Sequence, residues 1–71
     1  MQRYPILIEP TETGYSAYSP DVPGCIATAS SRDELEQVMR DAIVFHLEGL
    51  RASGQPVPPP STSASYVDVA A

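Results

Sequence analysis

Between residues 32 and 50 the apolar positions recur at three- and four-residue intervals. Leu35, Val38, Met39, Ala42, Ile43, His46, Leu47 and Leu50 form one broad stripe, while Arg32, Glu36, Arg40 and Glu48 fall largely outside it. This period predicts an amphipathic helix over about residues 32–53. Ser31-Arg32-Asp33-Glu34 has the spacing of a capping box, in which the hydroxyl accepts from the N–H three residues on and the glutamate reaches back to the cap. Asp33 and Glu34 also stand where the helix dipole favours negative charge. Gly54, with Pro56 just beyond, marks the stop.

Ahead of the helix the period is two. Extended residues 3–9 put Tyr4, Ile6 and Ile8 on one face and Pro5, Leu7 and Glu9 on the other, a strand with apolar groups on both sides. A polar connection containing Pro10 and Gly14 then reverses the chain into a second strand over residues 15–19. Pro20 and Pro23 break that strand, and Pro23-Gly24 carries a type II turn signal, followed by a third short strand over residues 25–29. After the helix, residues 55–61 hold four prolines and read as an extended connector; residues 65–69 alternate and include the β-branched valines of a strand.

The element order is therefore β-β-β-α-β, an α+β fold. A meander of the first three strands, followed by a right-handed crossover through the helix, lays the last strand parallel to the first. The expected result is a four-stranded mixed sheet of order 3-2-1-4 with one helix on one face. The uncovered face keeps apolar side chains exposed, which predicts a homodimer or higher homo-oligomer formed through the sheet face or edge that the helix leaves free.

Composition sharpens this picture. Seventy-one residues make one domain, 1–71, with a thin core. The lone Cys25 excludes an internal disulfide, and no Cys/His cluster has metal-ligand spacing, so neither metal nor cofactor is expected and oligomerisation is the remaining staple. Nine acidic against four basic side chains give a formal net charge of -5. Such a chain repels phosphate backbones and attracts basic proteins, so a direct nucleic-acid role is not expected. The apolar run near the start is too short for a secretory or membrane-spanning segment, and the protein reads as cytoplasmic.

Few residues carry chemistry. His46 is the only histidine and lies on or beside the apolar stripe, which favours a boundary histidine over a general base. Cys25 follows a turn with Asp21 nearby and reads as a small buried hydrophobe rather than a reactive thiol. Tyr15 and Tyr18 lie on opposite faces of the second strand, so at most one meets the helix; the other, with Pro20, Val22 and Pro23, forms either an exposed apolar rim suited to an interface or, equally compatible with the sequence, an ordinary turn packed on its own sheet.

One set of segments, taken together, resembles the HicB antitoxin family. These are Gly14-Tyr15-Ser16-Ala17-Tyr18, Pro20-Asp21-Val22-Pro23-Gly24-Cys25, the acidic helix start from Ser31 to Leu35, Ala42-Ile43 through His46-Leu47 to Leu50, and Gly54 with Pro56-Val57-Pro58. The resemblance implies a truncated ribonuclease H-like fold. It also implies an antitoxin that binds and blocks HicA, a small, basic, double-stranded-RNA-binding-like toxin that cleaves mRNA. Tyr18, Asp21, Glu34, Glu36, Asp41 and Glu48 are then the candidate partner-binding residues. Many members continue into a helix-turn-helix or ribbon-helix-helix domain; the resemblance here covers the amino-terminal domain only, and operator binding is not expected from these residues. Two alternatives stand beside this reading. One is a homodimeric interaction module without a toxin. The other is a residual two-metal nuclease, for which Glu9, Asp21, Glu48 and Asp68 are the available carboxylates; no catalytic residue is assigned, and no enzymatic activity is expected.

Overall fold

The computed structural model describes residues 2–71. Three short strands, β1 (Leu7–Pro10), β2 (Tyr15–Tyr18) and β3 (Ile26–Ala29), precede one long helix, α1 (Arg32–Ala52). The strands form an antiparallel meander of order β1-β2-β3. Thr11 N–H donates to the Gly14 carbonyl at 2.8 Å and closes the first hairpin. In the second connection Cys25 N–H donates to the Val22 carbonyl across Pro23-Gly24, and Gly24 takes φ 89°, the positive value that position i+2 of a type II turn requires.

Both helix ends are closed as the sequence predicts, with one difference. Ser31 Oγ accepts from Glu34 N–H at 3.2 Å, while Glu34 Oε1 accepts from the N–H and hydroxyl of Ser30 rather than from Ser31. At the other end Gly54 has φ 73°, its N–H donates to the Arg51 carbonyl, and Gln55 N–H donates to the Leu50 carbonyl. That pair of bonds is a Schellman motif, which only a residue at ease with positive φ can complete.

The core is one row of the helix laid across the sheet. Leu35, Met39, Ile43 and Leu47, spaced by four residues, are buried against β2 and β3 with Ala17, Val22 and Cys25. This i±4 ridge is narrower than the stripe expected from the sequence, so Val38, one position before the ridge, emerges at 39% exposure instead of joining the core. Val22 moves the opposite way. Of the exposed rim and the packed turn that the sequence leaves open, the second holds: Val22 is 0% exposed, because the turn from Ser19 to Cys25 is closed by Ser19 N–H to the Cys25 carbonyl and folds the valine into the core.

The four-stranded sheet of order 3-2-1-4, and with it the parallel fourth strand of a truncated ribonuclease H-like fold, is not formed. The described residues hold a three-stranded antiparallel sheet and one helix, β-β-β-α. The cause lies in residues 55–62. Four prolines there lack the N–H a ladder needs. Val57 packs on the core, Tyr4 Oη donates to the Pro58 carbonyl at 2.6 Å, and Ser61 and Thr62 are tied to Asp21 in the β2–β3 turn. The chain is thus led across the end of the sheet, and residues 63–71 lie in solvent without a partner strand. Strand propensity at residues 65–69 is genuine, yet propensity supplies no pairing edge. The extents of 48 × 26 × 20 Å and radius of gyration of 13.8 Å, against about 11 Å for a compact chain of this length, reflect that projecting tail.

Two glycines differ sharply in what surrounds them. A Cβ on Gly14 would run into the backbone of Ala29 and Ser30, where β3 passes the first hairpin, whereas one on Gly49 would point into open space. Gly14→Ala is therefore expected to destabilise the protein by about 1–3 kcal/mol, and Gly49→Ala to stabilise it by about 0.4–1 kcal/mol. Urea titrations of the two variants against the parent chain check both signs.

Candidate functional site

The six residues that the sequence marks for partner binding separate into four places. Glu34, Asp41 and Glu48 are spaced by seven and stack on the side of α1 turned away from the sheet, all exposed. Glu36 points from another side of the helix. Tyr18 lies on the sheet face opposite α1. Asp21 sits in the β2–β3 turn.

Between the three stacked acids stand Val38, which the apolar stripe includes but the core excludes, and Phe45, which the stripe leaves unassigned. Val38 and Phe45 fill the intervening turns, so that Glu34, Val38, Asp41, Phe45 and Glu48 follow one another at spacings of four, three, four and three. Phe45, the only phenylalanine of the chain, is 79% exposed. Single exposed apolar residues are ordinary; an aromatic set in a row of carboxylates beside a second apolar residue forms a mixed surface of the kind that anchors a protein partner. The sequence signal for Phe45 was its position ten residues after Leu35, off the i±4 ridge. Asp41 Oδ1 accepts from Gln37 Nε2 at 3.1 Å, and Glu34 Oε1 is held by Ser30, so two of the acids have fixed positions.

A second surface lies on the open face of the sheet. Register places Leu7 opposite Tyr18 and Tyr18 opposite Ile26, an apolar row across all three strands, and Glu9, Ser16 and Thr28 form the next row. Tyr18 is thus the exposed tyrosine, while Tyr15 packs on the helix side against the core.

Asp21 has a local role. Oδ2 accepts from Ser61 N–H at 3.2 Å and Thr62 N–H at 3.0 Å, and Oδ1 accepts from the Ser61 hydroxyl at 3.2 Å and the Thr62 hydroxyl at 2.7 Å. The Thr62 hydroxyl is the strongest influence holding this carboxyl below its ordinary pKa; desolvation opposes it, and the two amides and the Ser61 hydroxyl add to the lowering. Cys25 is buried with Sγ 3.7 Å from the Ala42 carbonyl, and desolvation raises its pKa, away from a reactive thiolate. His46 is half-buried at the edge of the core. Among the described residues no group of three His, Cys, Asp or Glu side chains is arranged to hold a metal ion, and no helix is long and apolar enough to cross a membrane. Glu9, Asp21, Glu48 and Asp68 stand on a strand, a turn, a helix and the exposed tail respectively.

Comparison with known proteins adds to this geometry. A family model described as "HicB_like antitoxin of bacterial toxin-antitoxin system" matches residues 4–70. The chain is 34% identical over 65 residues to an uncharacterized 14.9 kDa protein in the rep-hol intergenic region of Haemophilus phage HP1, covering 92% of this chain and 49% of the phage protein. It is 31% identical over 70 residues to Antitoxin HicB 2 of Photorhabdus laumondii, covering 97% of this chain and 50% of that protein. The chain spans about half the length of these curated relatives. Among solved structures it matches a chain of a HicA3 and HicB3 toxin-antitoxin complex with a TM-score of 0.71 and 33% identity, over 83% of this chain and 70% of that one.

The clasp on residues 61 and 62 depends on a charged acceptor. Since Asp21 titrates lower in the folded chain than in the unfolded one, the stability it contributes is present above the unfolded pKa and is lost as pH falls through the folded one. Protection of the Ser61 and Thr62 amides, measured as exchange relative to the intrinsic rate at the same pH, is expected to hold at neutral pH and to be lost below about pH 4. Asp21→Ala should abolish that protection at every pH while the helix amides keep theirs. Hydrogen exchange followed by NMR reads both.

Proposed function

This chain belongs to the HicB-like antitoxin family of bacterial toxin-antitoxin systems, and we propose that it is the toxin-neutralising module, which binds a small basic HicA-like toxin and covers its RNA-cleaving surface. Family membership supports the partner class, as does the HicA3 and HicB3 complex whose chain it resembles. The net charge of -5 suits a basic partner. The observation that carries the choice of surface is the outer row of α1, in which Val38 and Phe45 are set between Glu34, Asp41 and Glu48.

Each part of that row has a distinct task in the encounter. The carboxylates attract the cationic surface and set approach, which is a matter of association rate. Phe45 enters an apolar recess once water is excluded, which is a matter of dissociation rate. An acidic cover of this kind competes with the phosphates of RNA for the same cations, so inhibition needs no chemistry from the antitoxin itself. We place this action in the cytoplasm, where mRNA is the toxin's substrate, and assign no enzymatic activity to the chain. Glu36, on another side of the helix, and Asp21, saturated by Ser61 and Thr62, contribute to the general negative field rather than to direct contact.

Phe45→Ala is expected to weaken toxin binding by about 2 kcal/mol, roughly thirtyfold in Kd, almost wholly through faster dissociation. Because the ring is exposed, the free chain's melting temperature should not change. Asp41→Lys with Glu48→Lys should instead slow association, more at low than at high ionic strength. Surface plasmon resonance on a cognate HicA-like toxin separates the two effects. Undiminished RNA cleavage by a toxin saturated with this chain would reject the proposed inhibition.

A further inference from the structure

Gly49 stands in the interior of α1 with no reason for it in its own chain. Glycine weakens a helix interior, and here a Cβ would meet nothing within 4 Å, while the backbone has no positive φ to accommodate. The residue lies four positions after Phe45 and three before Ala52, on the flank of the outer row of α1. Ala42, seven positions earlier, belongs to the same flank, so the side chains beside Phe45 there are small. Along the other flank run Gln37, Val44 and Arg51, with Val44 at 49% exposure. The row itself, Glu34, Val38, Asp41, Phe45, Glu48 and Ala52, keeps spacings of four and three throughout and runs about 27 Å.

We propose that this face is a seam for one helix of the partner, lying along α1 with apolar side chains against Val38 and Phe45 and arginines against Glu34, Asp41 and Glu48, and that Gly49 marks where the two helices come closest. The inference rests on the toxin-binding reading above and adds to it what the partner must bring. Spacings of four and three in alternation are those that keep one row facing a second helix along its length. A strand or loop fits such a row poorly. The backbone groups inside α1 are already paired with one another, so the amides of an extended segment laid on it find no partner, whereas a helix arrives with its own backbone bonds made.

The charges fix the chemistry of that helix. Three carboxylates repeat every seven residues on the seam, and each, once covered, needs a hydrogen-bonded cation to offset the water it loses. Arginine meets this with a planar fork that grips a carboxylate through two bonds, and arginines at the same seven-residue interval answer the row in register. A second copy of this chain does not fit, since its own row would bring three further acids to the seam. Gly49 then has a use. The distance between packed helix axes is set by the side chains at the crossing, and a residue without a Cβ, beside the exposed ring of Phe45, lets the partner's backbone approach closely while the ring packs against it. Helix propensity given up in the free chain becomes contact in the complex.

Gly49→Ala and Gly49→Gln should both raise the melting temperature of the free chain, since each favours the helix. Both should nevertheless weaken binding of a cognate HicA-like toxin, Gly49→Gln more than Gly49→Ala and by at least tenfold in Kd. A residue with a purely structural part in α1 would not move stability and affinity in opposite directions. Photo-crosslinking reads the geometry. With Val38, Phe45 or Ala52 replaced singly by benzoylphenylalanine, the three sites should label one toxin helix at points about seven residues apart. An affinity that Gly49→Gln leaves unchanged or improves, or crosslinks scattered over toxin segments that are not one helix, would overturn the inference while toxin binding stands. A toxin that does not bind the unaltered chain at all would overturn the toxin-binding reading and this inference with it.

Discussion

Everything in this small protein hangs on one contact, the i±4 ridge of α1 seated across β2 and β3. Leu35, Met39, Ile43 and Leu47 meet Ala17, Val22 and Cys25 there, and among the described residues these seven make up the buried apolar core. A single ridge can bury a single row. Every other apolar group on the helix or the far side of the sheet is then left at the margin or in water, and Val38, Phe45 and Ile26 are where this shows. The short chain also lacks a disulfide, since Cys25 is alone and buried beneath the helix. Its stability is thus small by construction, and anything that binds the folded form selectively adds to it by mass action.

The second constraint is the route of the chain after the helix. The Schellman motif at Gly54 ends α1 abruptly, and the prolines that follow hold the backbone extended with few donors. What fixes their path is side-chain chemistry from distant residues: the Tyr4 hydroxyl on Pro58 and the Asp21 carboxylate on four donors of Ser61 and Thr62. Asp21 therefore acts as an internal clasp, linking positions forty residues apart between the β2–β3 turn and the tail. An acid that reads in isolation as partner-facing is occupied within its own chain.

This difference shows where sequence reasoning succeeds. The helix, its capping serine, its terminal glycine and the three-strand meander are local facts, set by periodicity, hydroxyl spacing and φ preference, and they were legible to within a few residues. The capping glutamate reaching Ser30 instead of Ser31 is a shift of one residue within the same device. The errors are all non-local. Val22 stayed undecided between a rim and a packed turn because nothing near it shows that the turn closes over the core. The fourth strand was placed beside β1 because propensity and handedness rules describe a strand that has reached the sheet, and here the clasp prevents that arrival. Of the surface residues, Glu36 and Glu48 could be placed outside the apolar stripe from the sequence, yet the alignment of Glu34, Asp41 and Glu48 with Phe45 becomes conspicuous only once the ridge is known to exclude that ring.

The arrangement of the surfaces bears on how a protein with so little core can serve more than one contact. The acidic and apolar row of α1 faces away from the sheet, whereas the β1 edge and the row of Leu7, Tyr18 and Ile26 lie on the far side of the core. No side chain belongs to both. A partner on the helix and a partner on the sheet therefore do not compete sterically. Their energetic coupling runs only through the ridge packed between them, which both would stabilise in its existing form. Contacts so separated contribute nearly additively. A single ridge of four residues thus lies between the outer row of α1 and the open face of the sheet, and the same burial that holds the fold keeps the two surfaces apart.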